Sequence, residues 1–113
     1  MDVADRVEKA LNGVVKLYAS VPEFTDRNAP NKYAVYTIAE TGADFSEGEN
    51  RVNQYYVSVN IFTPQYDFGL YEKIKAAMYS EGFCYAEGGN IQDDKIFPYT
   101  RHYYLDFMAV IER

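Results

Sequence analysis

Chemistry at neutral pH most readily uses a thiolate or an imidazole, and this chain has one of each, Cys84 and His102. His102 lies between Arg101 and Tyr103, at the start of an alternating segment, where an imidazole usually packs or meets solvent. Cys84 lies between Phe83 and Tyr85 in a segment that reads as strand. A thiol in such a place is usually a small buried hydrophobe with ordinary reactivity. A Cys84–His102 pair is the nucleophile–base combination to look for, but no motif surrounds either residue. Glu47 and Glu49 have the form of a carboxylate pair for glycoside hydrolysis, yet they fall in a polar loop without an evident pocket. Glu40, Asp44, Glu47, Glu49 and the Asp93-Asp94 pair offer oxygen ligands, but their spacing matches no calcium loop. They read as a solvated acidic surface. There is no HExxH and no Cys/His spacing for zinc. Gly42, Gly48, Gly88 and Gly89 form neither GxGxxG nor a Walker loop. The expectation is therefore no catalytic residue, no cofactor and no metal.

The elements that would position these residues follow from periodicity. Val3, Val7, Ala10, Leu11 and Val14 recur at helical spacing, which predicts a helix from Asp2 to about Asn12. Asp2 is its candidate cap and Asn12-Gly13 its stop. Val14–Tyr18 reads equally as a last helical turn or a short strand, with Gly13 favouring a break. Residues 20–31 carry Pro22, Asp26, Asn28 and Pro30 and read as loop. Lys32–Ala39 and Gln54–Thr63 read as strands, the second alternating Tyr55, Val57, Val59 and Ile61 against Tyr56, Ser58 and Asn60. The Glu40–Asn53 loop between them is longer than the two to five residues usual for a hairpin. It holds four acids and one lone aromatic, Phe45, and loops of that length usually have a function or are disordered.

Pro64 closes the second strand. Leu70, Ile74, Ala77 and Met78 predict a helix from Asp67 or Phe68 to Ser80, with Gly82 as its C-terminal glycine. Phe83–Glu87 reads as a third strand, Gly88-Gly89-Asn90 as a turn, and Ile91–Pro98 as irregular. Thr100–Ile111 is the last strand, alternating Tyr103, Leu105, Phe107, Ala109 and Ile111 against Tyr104, Asp106, Met108 and Val110. The fold class is α+β in the order α-β-β-α-β-β: two helices on one face of a four-stranded, mainly antiparallel sheet, in a single domain of residues 1–113. Nothing in this order covers the opposite face, where Tyr56 and Tyr104 fall.

Composition narrows the partners. Eleven basic and seventeen acidic residues give a net charge of −6, which repels nucleic acid and anionic lipid. No apolar run approaches the roughly 18 residues of a membrane span. A single cysteine allows no internal disulfide, and the acidic, polar start is unlike a secretory leader, so a reducing cytoplasm is expected. Aromatic residues make up 17%, with twelve Tyr, seven Phe and no Trp. Tyrosine is frequent in half-buried strands and enriched at protein interfaces.

The order of elements as a whole resembles a known family. A helix leads to a proline-bearing loop with Val21-Pro22 and Ala29-Pro30. A strand of the form Lys32-Tyr-Ala-Val-Tyr-Thr-Ile38 opens with Pro30 and Tyr33. A long polar loop, the strand Tyr56-Val-Ser-Val-Asn-Ile-Phe62, a helix soon after Thr63-Pro64 and a final strand complete the pattern. This resembles the tail-completion (tail-terminator) proteins of long-tailed bacteriophages and prophages. It is also similar to their head–tail joining and minor capsid proteins. The resemblance implies a non-enzymatic structural subunit that forms a homo-oligomeric ring, typically a hexamer, at the head-proximal end of the tail. It implies tail-tube or connector proteins as partners, while the acidic charge and the lack of a long apolar run speak for no sequence-specific nucleic-acid binding and no membrane. Its setting would be the bacterial cytoplasm during assembly and then the virion. The candidate interface is Glu40, Asp44, Phe45, Glu47, Glu49 and Arg51 on the loop, with Tyr56 and Tyr104 on the uncovered sheet face. The alternative is a small cytoplasmic α+β binding or regulatory module with a ligand groove beside the sheet.

Overall fold

The computed structural model describes residues 3–19, 32–42, 52–91 and 101–112. Helix α1 spans Val3–Leu11, and Val3, Val7 and Leu11, one per turn, form its buried stripe. Asn12 donates back to the Glu8 carbonyl at 2.9 Å before the chain turns at Gly13. The ambiguous stretch after Gly13 resolves as a strand, β1, at Lys16–Tyr18. It runs parallel to the start of β2, with Lys16 opposite Tyr33 and Tyr18 opposite Val35.

Strands β2 (Tyr33–Gly42) and β3 (Val52–Thr63) are antiparallel, paired from Tyr33–Phe62 out to Gly42–Asn53. Both outrun their expected bounds: residues 40–42 and 52–53 of the expected Glu40–Asn53 loop are strand, and residues 43–51 lie outside the described residues. Helix α2 (Phe68–Ser80) is capped by Asp67, whose carboxylate accepts from the Leu70 N–H at 3.0 Å. The helix ends in a Schellman motif. Phe83 N–H bonds the Met78 carbonyl at 3.1 Å and Gly82 N–H that of Tyr79 at 3.0 Å, with Gly82 at φ +93°. The fully buried Phe83 side chain locks this end into the core.

Strand β4 runs Cys84–Ile91 and corrects the expected turn at Gly88-Gly89-Asn90. These residues continue the ladder, Gly88 opposite Leu105 and Gly89 opposite Tyr104. The glycines serve close approach rather than a turn. A Cβ on Gly88 would lie 2.7 Å from the Tyr85 hydroxyl and 2.8 Å from the Tyr104 carbonyl oxygen. A bulge between Tyr85 and Glu87 accommodates one extra residue. Strand β5 (Arg101–Glu112) pairs with β3 along its whole length.

The sheet therefore has five strands in the order β1-β2-β3-β5-β4 and is mixed rather than four-stranded. The α+β class stands, with two helices, in the order α-β-β-β-α-β-β. The extra strand is β1, three residues that a periodicity reading cannot distinguish from a helical turn. The core lies between the helices and one sheet face. It joins Val7, Leu11, Tyr71, Ile74 and Met78 to Val57, Val59, Ile61, Leu105 and Phe107. Strand alternation had placed these β3 and β5 residues there. The extents of 53 × 24 × 23 Å follow from element lengths. A twelve-residue strand spans about 40 Å and a thirteen-residue helix about 20 Å. Each central strand is thus longer than either helix.

Candidate interaction surface

On the sheet face away from the helices, the register stacks residues in cross-strand rows. Tyr33, Phe62, His102 and Ile91 form the first row. Val35, Asn60, Tyr104 and Gly89 form the second, and Thr37, Ser58, Asp106 and Glu87 the third. Ala39, Tyr56, Met108 and Cys84 form the fourth.

The first row is packed from Tyr33 to His102, and Ile91 at its β4 end is exposed. Tyr18 meets Tyr33 edge-on at 5.9 Å, Tyr33 stacks on Phe62 at 4.7 Å, and Phe62 stacks on His102 at 4.3 Å. Tyr33, Val35 and Phe62 are buried and form a second, small cluster. The expectation that this face is uncovered throughout is thus corrected at this end. The His102 Nε2 lies 2.9 Å from the Asn60 Oδ1, so the ring is held by stacking and a hydrogen bond.

The other end is open. Tyr56 is 45% exposed and Val110 58%, and Thr37, Ala39 and Cys84 are exposed as well. Gln54 Nε2 donates to the Tyr56 hydroxyl at 2.8 Å and contacts the Met108 sulfur, which fixes the Tyr56 ring against the sheet. Between the two ends the face is acidic. Asp106 pairs across β5–β4 with Glu87, an arrangement of like charges that costs stability. The nearby Tyr104 phenol is pushed above its usual value of 10.0, chiefly by the Glu87 carboxylate, then by desolvation and by Asp106. One oxygen of Asp106, Oδ1, is shut from solvent and accepts no hydrogen bond among the described residues. A groove of about 290 Å³ lies over this region, lined by Thr37, Ala39, Tyr56, Ser58 and Asp106 among others.

Of the sequence-derived interface residues, Tyr56 and Tyr104 share this face, four positions apart along the β3–β5 ladder, or about 13 Å. Glu40 is exposed near the far end of β2, opposite Tyr55. Asp44, Phe45, Glu47, Glu49 and Arg51 lie outside the described residues, as do Asp93 and Asp94. The residues that sequence reasoning missed are Asp106 and Glu87. Alternation assigns Asp106 to this face. Pairing it with Glu87 requires the β4–β5 register and its bulge, which have no signature in either strand alone.

Cys84 is exposed at the start of β4, not buried as expected. It faces Met108, whereas His102 faces Ile91. Six positions of β5 separate those partners, about 20 Å, so the Cys84–His102 pair does not form. Among the described residues, no group of three His, Cys, Asp or Glu side chains could hold a metal ion. Among them, too, no helix is long and apolar enough to cross a membrane. A larger groove of about 780 Å³ opens between the end of α1 and β1, lined by Glu8, Lys9, Asn12, Lys16, Leu17 and Tyr36 among others. There Tyr36 donates its hydroxyl to Glu8 at 2.8 Å.

Neither the models of known protein families nor the curated proteins contain a match to this chain.

Proposed function

We propose that the chain is a non-enzymatic structural subunit that works through its surfaces, of the kind the phage tail-completion and head–tail joining proteins exemplify. One observation carries this reading: the sheet face turned away from the helices leaves Tyr56 45% and Val110 58% exposed on long, regular strands. Large exposed apolar residues on a regular, rigid face are what a protein contact uses. In this reading copies join head to tail into a closed ring, for which the family resemblance gives six members. A heterologous contact closes in this way when its rotation permits. The ring meets tail-tube or connector proteins in the host cytoplasm and stays in the particle. The net charge of −6 would let DNA pass through such a ring without adhering.

The test is a pair of variants, Tyr56→Ser and the double reversal Glu47→Lys, Glu49→Lys. Each is expected to lower the assembled fraction while leaving the unfolding midpoint near that of the parent. Assembly equal to the parent in both would remove these contacts from the account.

A second reading, a small binding or regulatory module, has one feature in its favour, the 780 Å³ groove beside α1 and β1. Its lining is mixed, with Glu8, Lys9 and Lys16 at hand, so a zwitterionic or polar ligand would suit it better than an apolar one.

A further inference from the structure

We infer that the groove over Asp106 receives an arginine or lysine side chain from another protein. The inference rests on the reading of the outer sheet face as a contact surface and names the chemistry of what it contacts. Three observations converge on it. First, the Asp106 carboxylate has an oxygen removed from water that accepts no hydrogen bond among the described residues. A carboxylate in that state is costly and is relieved by a cationic donor. Asp106 also lines the groove. Second, the neighbouring cross-strand residue is Glu87 rather than a base, so the local field is uncompensated on its own sheet. The upward shift of the Tyr104 phenol, which the Glu87 carboxylate makes harder to ionise, agrees with that field. Third, the groove offers about 290 Å³ beside Tyr56, whose exposed ring can lie against an aliphatic stem or a guanidinium plane.

Charge selects the occupant. A face-to-face pairing of two copies would set Asp106 and Glu87 against their own equivalents, a like-charge contact on a chain of net charge −6, so the surface that fills this groove is a different and basic one. A metal ion would find only two carboxylates here, and no third His, Cys, Asp or Glu joins them among the described residues. A basic side chain needs only one carboxylate and an apolar wall, and this groove provides both.

The probe is the peptide acetyl-Thr-Arg-Val-Arg-Thr-amide, titrated into the dilute, intact chain and followed by amide chemical shifts. Its control is the same peptide with citrulline for arginine, which keeps the shape and removes the charge. Saturable shifts at Thr37, Ala39, Ser58 and Asp106 are expected, with binding about tenfold weaker for the citrulline peptide and for Asp106→Asn. Should Asp106→Asn fail to fold, Glu87→Gln is the second variant, with a several-fold loss expected from the weakened field. Shifts that map to another face, or equal binding by the two peptides, would overturn the inference. So would binding untouched by both substitutions. The outcome is independent of ring formation: a chain that stays monomeric but binds the arginine peptide refutes the ring and keeps the groove.

Discussion

At the scale of single residues, the structure assigns definite work to side chains that sequence treats as interchangeable. Gly88 is expected to resist substitution for a packing reason, since a methyl group there meets a backbone carbonyl that cannot swing away. Gly88→Ala should cost about 1–3 kcal/mol in denaturant unfolding, whereas the neighbouring exposed Asn90→Ala should cost little. Asp67 caps α2 and pairs with Lys32, and the Lys32 hydrogen bond, then that of the Leu70 N–H, holds its carboxyl below the ordinary 3.8. A depressed carboxylate stabilises the fold above its unfolded value and loses that contribution as pH falls through its folded value. Asp67→Ala should therefore lose about 1 kcal/mol at neutral pH. The gap to the parent should narrow in acid unfolding below about pH 4. The cap was legible in the sequence as an aspartate before an apolar helical run. The exposure of Cys84 was not, because a strand's own alternation leaves open which face its first residue takes when a bulge follows.

At the scale of elements, the long periodic segments were legible and the short or irregular ones were not. The residues Val57, Val59, Ile61, Leu105 and Phe107 were readable as core because period-two alternation sorts a strand's faces without knowing its neighbours. Ile74, fully buried on α2, was readable from helical spacing in the same way. Ile74→Ala should cost about 3 kcal/mol in equilibrium unfolding. Tyr79→Ala, on the exposed side of the same helix, should change stability by less than about 0.5 kcal/mol. Strand β1 has three residues and owes its state to pairing with β2, which no local pattern encodes. The Gly88-Gly89 dipeptide carries a turn signature, but tertiary pairing with β5 overrides it. The same limit hid the Asp106–Glu87 pair, since register across a bulge is a property of two strands together.

At the scale of the whole molecule, the account joins an elongated sheet, a helix layer shorter than its strands and an outer face with two characters. That face is sealed by aromatics at the Tyr33–Phe62 end and open around Tyr56 at the other. A single small domain gains little from an exposed tyrosine, alanine and valine surface on long strands unless another surface covers it. The central claim is that this chain acts by assembly. Absolute mass by light scattering on a sizing column, from dilute to concentrated protein, tests that most directly. The account predicts a discrete species near six times 13.0 kDa that grows with concentration and disperses in Tyr56→Ser. A mass of 13.0 kDa at every concentration, unchanged by that substitution, would contradict it.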